Sequence, residues 1–256
     1  DAWLAVTPAQ HMAAVPEPAP SGDRPLILCS KGIEERSGGM LHRVASDACP
    51  ASPISVLSGP TFAHEVAAGL PTAVSLAADE RGLAEALRDR IALPTFRIYL
   101  SDDVAGAEIG GAVKNVLAIA CGVVEGRGLG QNARAALISR GFAEMTRFGL
   151  ARGARAETLA GLSGLGDLVL TCSSTSSRNF SLGKGLGEGG NAAELLADRR
   201  TVAEGAFTAP VLKRAAEADG VDMPIVAAVC ALLAGDASVD EVVGRLLARP
   251  LRSEGV

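Results

Sequence analysis

Aromatic residues are scarce, at 3% of the 256 residues, which leaves little material for base-stacking platforms. Basic character is lacking as well: the net charge is −5, whereas a nucleic-acid-binding chain normally carries a basic face. Nucleic acid is therefore not an expected partner. Long hydrophobic runs are missing. The two apolar stretches, 115–124 and 225–235, fall short of the ~18–20 residues that cross a bilayer, so no membrane span is expected. Cys29, Cys49, Cys121, Cys172 and Cys230 are scattered and form no Cys-x-x-Cys pair, which suits free thiols in a reducing compartment. His11, His42 and His64 are too dispersed for a metal site, and none is expected. With no signal peptide recognisable, the expected location is the cytoplasm.

What is present supports a packed protein. Hydrophobic residues make up 48% and charged residues 21%, enough to bury a sizeable core in one large domain or two ordinary ones. The first hundred residues alternate short apolar runs with helical stretches, an α/β signature. Strands are predicted at 2–7, 25–30, 54–57, 73–77 and 97–100, with helices at 39–49 and 83–91. Each strand ends in a small or polar residue, where parallel sheets place their ligand-binding loops. After Asp102 the β pattern stops. Helical periods then cover 104–124, 133–151, 192–196, 208–218, 224–234 and 239–247. Ser101-Asp102-Asp103 supplies capping chemistry at the change, so the expected division is 1–101 (α/β, parallel sheet) and 102–256 (all-α). The chain opens on Asp1, and Ala2–Val6 already reads as a buried strand, so a piece of a longer chain is expected.

Of the 24 basic residues only Lys31, Lys114, Lys184 and Lys213 are lysine, and lysine, unlike arginine, can serve as a base when desolvated. Lys114 lies in Gly110-Gly111-Ala112-Val113-Lys114-Asn115 on a strongly apolar helix. The two glycines sit one turn back on its face and cost about 0.5–1 kcal/mol each against alanine. Two readings follow: a lysine of lowered pKa facing an open space for ligand, or a snorkelling lysine beside glycines that serve close packing. Lys31 directly follows a strand carboxyl end, the position that faces the crevice of a doubly wound sheet, or else forms a solvated turn.

Other segments carry similar alternatives. Ser58-Gly59-Pro60-Thr61 follows a strand and places proline in a first helical turn, either an anion site or an ordinary helix start. Ser163–Asp167 reads as a tight turn whose Asp167 meets a substrate hydroxyl, pairs with a lysine, or simply forms the turn. Ser177-Arg178-Asn179 matches a phosphate, or a helix cap followed by a solvated arginine. Gly185-Leu186-Gly187-Glu188-Gly189-Gly190 fits the bare Gly-x-Gly-x-x-Gly pattern, but no strand precedes it, so it is not a dinucleotide site.

Eight stretches in one order resemble the bacterial-type NAD(P)-dependent glycerol-3-phosphate dehydrogenases. They are PAQH at 8–11, SKGIE at 30–34, SGPTFAHEVAAGLPTAVSLA at 58–77, GGAVKNVLAI at 110–119, NARAALISRG at 132–141, GLSGLGDLVLTC at 161–172, SRN at 177–179 and AEG at 203–205. The resemblance implies the remainder of a Rossmann-like NAD(P)-binding domain at 1–101 and a helical substrate and catalytic domain at 102–256. It implies reversible hydride transfer between a nicotinamide and dihydroxyacetone phosphate, giving sn-glycerol 3-phosphate for phospholipid synthesis. Lys114 matches the catalytic acid/base. Lys31, Gly59, Thr61, Lys114, Asp167, Ser177, Arg178 and Asn179 match substrate-binding positions. Lys31, Ala63, Arg178, Val202 and Glu204 match positions that bind the NAD(P)H cofactor. A homodimer is the oligomer the family suggests. Family members begin with a strand and a glycine-rich pyrophosphate loop that this sequence lacks, so weak cofactor binding and an exposed sheet edge are expected. Two alternatives stand beside this reading: a related dehydrogenase of another phosphorylated or carboxylated substrate, and a non-catalytic binding or oligomerisation module.

Overall fold

A computed structural model of the chain describes residues 1–14, 24–197 and 203–250. Two compact units emerge: Asp1–Ala112 with Arg152–Asp167, and Val113–Ala151 with Leu168–Val256.

The first unit is built on five strands in the order β1 (Trp3–Ala5), β2 (Leu26–Leu28), β3 (Ile54–Ser58), β4 (Thr72–Ala77) and β5 (Phe96–Ser101). All five lie where the apolar runs predict them, with ends shifted by one or two residues. Alternation along β2 explains the layering. Leu26 and Leu28 face one cluster with Leu41, Ala45 and Val104, while Ile27 faces another with Leu76 and Leu87. Helix α1 (Leu41–Ala48) therefore covers one face and α3 (Arg81–Ile91) the other.

The sheet is predominantly parallel, as expected, with one antiparallel pairing. β1, β2 and β3 run parallel, β3 and β4 pair antiparallel, and β4 and β5 are again parallel. The β3–β4 connection carries the short helix α2 (Ala63–Ala67), five residues long. Only the carboxyl ends of β1, β2 and β3 share one edge of the sheet.

Helix α4 (Val104–Gly126) begins in the first unit and continues into the second. Asp103 caps it by accepting from the Gly106 N–H (2.8 Å), and its other oxygen accepts from the Arg155 N–H (2.8 Å). At 23 residues α4 is longer than the apolar run that announced it, and by length and composition it passes for a membrane span. Its most apolar window is nevertheless entirely buried within the protein, as in a core helix.

The second unit is helical: the rest of α4, then α5 (Gln131–Ala151), α7 (Asp167–Thr171, its first residue in the other unit), α8 (Arg178–Gly187), α9 (Ala192–Ala197), α10 (Glu204–Ala218), α11 (Pro224–Ala234) and α12 (Val239–Leu247). The short α6 (Ala156–Leu159) belongs to the first unit. Glycines near the end of α8 gain a structural purpose here. Cβ atoms on Gly183 and Gly187 of α8 would stand 1.9 and 2.5 Å from the Ile119 and Val123 carbonyl oxygens of α4. Those on Gly122 and Gly126 of α4 would stand 2.0 and 2.1 Å from the Phe180 and Lys184 oxygens of α8. Two four-residue glycine spacings thus let the helices touch backbone to backbone. Within the Gly-x-Gly-x-x-Gly pattern at 185–190, Gly187 thus serves helix packing.

Candidate functional site

In the first unit the carboxyl edge of β1–β3 gathers polar groups. The Ser30 hydroxyl donates to the Thr7 carbonyl (2.5 Å), tying the ends of β1 and β2. One residue on, Lys31 Nζ donates to Asp167 Oδ2 at 2.7 Å. Asp167 is fully buried and the lysine side chain 19% exposed. Of the readings open for Asp167, pairing with a lysine is the one observed. A carboxylate this deep is tolerable only with a cation against it, and losing either partner of such a pair typically costs about 3–5 kcal/mol.

The segment before Asp167 is not a tight turn. Leu162–Gly166 forms a π-helical turn that runs straight into α7. Glycine permits this because a Cβ on Gly164 would lie 1.9 Å from the Leu159 oxygen. The same segment fills the space beside Gly110, where a Cβ would meet the Ser163 oxygen at 2.2 Å. The open space inferred beside the glycine pair is thus occupied by backbone at Gly110, as the packing alternative held. At Gly111 the neighbours are side chains, Lys31 Cγ and Ser58 Oγ, each 3.3 Å from an added Cβ.

Gly59 follows Ser58 at φ +156°, and a Cβ there would stand 2.9 Å from the Val74 Cα of β4. Glycine is required by that close approach. Helix α2 starts only at Ala63, after the extended Phe62, so Pro60 lies ahead of the helix and not in its first turn. Glycine before proline is held in an extended conformation, which delays the helix. Thr61 is half-buried and its hydroxyl donates to the Gly59 oxygen (3.3 Å); Ala63 is exposed. Thr7 Oγ1 and Ser58 Oγ are buried at this edge with no protein hydrogen bond among the described residues. A polar ligand at the carboxyl edge would satisfy both, so the edge fits a dinucleotide.

In the second unit Lys114 is 5% exposed, within an unbroken buried stretch of α4, and its Nζ donates to Thr171 Oγ1 at 2.9 Å. The side chain is held inside and does not snorkel. Thr171 closes α7 and is itself 3% exposed. Sequence reasoning singled out Lys114 but passed over Thr171. Its one sequence signal is a spacing of four residues from Asp167, which means little until α7 is known to be a helix.

The Ser177-Arg178-Asn179 cluster separates by function. Ser177 is the N-cap of α8, accepting from the Phe180 N–H (3.2 Å), while Arg178 at the first helical position is exposed. Asn179 is buried and its Oδ1 accepts from the Gly205 N–H (2.8 Å) in the first turn of α10. Glu204 opens that helix and is half-buried. Val202 lies outside the described residues.

Among groups no motif flagged, Glu144 of α5 is 2% exposed and accepts from the Ile225 (2.8 Å) and Val226 (3.3 Å) N–H groups at the start of α11. Burial pushes its pKa up to about 7, against the lowering effect of those two bonds. Burial likewise raises the Cys29 thiol, which the nearby Lys31 charge counteracts in part. All five cysteines are free. Among the described residues no cluster of three or more His, Cys, Asp or Glu could hold a metal.

Known proteins resemble the chain over almost its whole length. Residues 1–84 match the model of the NAD-dependent glycerol-3-phosphate dehydrogenase N-terminus, and residues 103–244 that of the C-terminus. A glycerol-3-phosphate dehydrogenase (NAD(P)+) of Erythrobacter litoralis is 70% identical over 251 residues, covering 98% of this chain and 76% of the relative. One from Novosphingobium aromaticivorans is 67% identical over 254 residues, with 98% and 76% covered. The crystal structure of glycerol-3-phosphate dehydrogenase from Coxiella burnetii superposes with a TM-score of 0.92 at 39% identity, over 96% of this chain and 76% of that one. The chain belongs to the NAD-dependent glycerol-3-phosphate dehydrogenase family.

Proposed function

We propose that the protein interconverts sn-glycerol 3-phosphate and dihydroxyacetone phosphate with NAD(P)(H), supplying glycerol phosphate for phospholipid synthesis. The observation that carries this reading is Lys114: a buried lysine on an apolar helix, its Nζ fixed by the Thr171 hydroxyl, in a chain of this family. A lysine amino group is costly to bury, so one kept in a buried site points to chemistry there.

A nicotinamide held by the cofactor-binding residues would supply hydride chemistry at the substrate C2. Lys114 moves the proton at the C2 oxygen: its ammonium donates as the ketone is reduced, and its neutral amine accepts the hydroxyl proton in oxidation. Thr171 Oγ1 limits the directions open to Nζ. Lys31, held by Asp167, Gly59 and Thr61 serve as substrate-binding residues of the first unit, and Ser177, Arg178 and Asn179 as those of the second. The exposed guanidinium of Arg178 suits a phosphate, which it can bind in a bidentate manner. Lys31, Ala63, Arg178, Val202 and Glu204 are the cofactor-contacting set. A phosphate gripped away from the reacting carbon lends binding energy to orientation at C2.

On this reading residues 1–101 form the cofactor-binding domain and 102–256 the substrate and catalytic domain. The protein acts as a homodimer in the cytoplasm, where five free thiols are at home. The test is oxidation of NADH and NADPH dependent on dihydroxyacetone phosphate, by the full-length protein and by its Lys114→Ala variant. Turnover should vanish in the variant while cofactor binding persists. Near-normal turnover by the variant would remove Lys114 from the mechanism.

A further inference from the structure

The first unit holds a cavity of about 230 Å³ at the sheet edge opposite the carboxyl ends of β1–β3. Its wall runs from Ile54, the first residue of β3, past Asp79 just beyond β4, to the start of α4. Helix α1 supplies His42 and Ser46, one turn apart on one face, and Ser52 joins them from the loop before β3.

This lining is polar and incomplete. Ser52 is 6% exposed, and its hydroxyl has no hydrogen-bond partner among the described residues. Leaving a buried hydroxyl unpaired is destabilising, and a bound polar molecule removes that penalty. His42 is aimed by a buried carboxylate. Glu108 accepts from the His42 backbone N–H at 2.9 Å and stands 2.5 Å from its Nδ1. A carboxylate only accepts, so Nδ1 carries the proton and Nε2 is the ring nitrogen left for a ligand. Asp79 is exposed and enters no ion pair among the described residues. No arginine or lysine lines the cavity, and Asp103 already caps the neighbouring α4 terminus, so an anion finds no counter-charge there. At ~30 Å³ for each water, the volume holds about eight waters: room for a small metabolite and not for a nucleotide.

We propose that this cavity is a second binding site, for a small amino alcohol. The ligand's ammonium meets the Asp79 carboxylate, while its hydroxyl donates to His42 Nε2 and accepts from Ser52 Oγ. The cavity lies away from the carboxyl edge, so the ligand binds without displacing the cofactor. The site does not rest on the function proposed above, and a protein inactive with dihydroxyacetone phosphate would leave it standing.

The test is titration calorimetry of the full-length protein with ethanolamine at constant ionic strength. A Kd of ~1 mM or below is expected for a ligand of this size, unchanged by saturating NADH. Asp79→Asn should weaken binding ~10-fold or more, through loss of the charged partner. Ser52→Ala supplies the sharper contrast. Its melting temperature without ligand should equal or exceed wild type, because the deleted hydroxyl had no protein partner, yet ethanolamine should bind ~5–10-fold more weakly. Phosphoethanolamine, which carries an anion to a wall without cations, should bind ~10-fold more weakly than ethanolamine. Absence of ethanolamine binding overturns the proposal, since the cavity then holds water alone. Binding unaltered in both variants, or abolished by NADH, places the amine elsewhere and overturns it equally. Tighter binding of phosphoethanolamine than of ethanolamine refutes the cationic class of ligand.

Discussion

Replacing Glu144 by glutamine should flatten a pH dependence of stability that the fold builds in. The folded carboxyl titrates at about 7 against an ordinary 4.5, because burial favours its protonated form. The unfolded chain releases this proton above about pH 4.5 and the folded chain holds it to about 7. The group's contribution is therefore complete below pH 4.5, falls as pH rises towards 7, and is lost above it. The interval corresponds to about 3 kcal/mol. For a protein of this size that is roughly 6–12 °C in melting temperature. Glutamine keeps an oxygen for the Ile225 N–H and cannot ionise. It turns an amide nitrogen towards the Val226 N–H, a fixed cost that does not vary with pH. Melting followed by circular dichroism between pH 5 and pH 8.5 should show the difference between wild type and variant shifting in favour of glutamine by several degrees. Parallel curves across that range would show that Glu144 is ionised throughout, and the reasoning from burial would fall.

Gly183→Ala forces a methyl to within 1.9 Å of the Ile119 oxygen, so α4 and α8 must separate; a loss of about 1–3 kcal/mol or more is expected in urea unfolding, whereas the same change at the unencumbered Gly244 should move the midpoint little. Thr171→Val keeps the shape and removes one acceptor of Lys114, so kcat should fall ~10-fold or more with KM for NADH nearly unchanged in steady-state assays. Arg178→Ala should raise KM for dihydroxyacetone phosphate ~10-fold or more with little effect on melting, since the side chain is exposed; unchanged kinetic constants would leave it a solvated arginine.

The sequence by itself determined most elements and their order. Short apolar runs marked all five strands, and helical periodicity marked α4, α5, α11 and α12, because these signals are local. Helix α8 escaped that reading: its glycines mimic a loop, and their purpose appears only once α4 lies against them. Lys114 stood out through its apolar setting and Lys31 through its place after a strand. Their partners, Thr171 and Asp167, lie 57 and 136 residues away, separations that local pattern does not span. Tertiary structure also reversed β4, filled the space beside Gly110 with backbone, capped α10 with Asn179 and buried Glu144. Each of these is a long-range contact, decided by what packs against a residue and not by its neighbours along the chain.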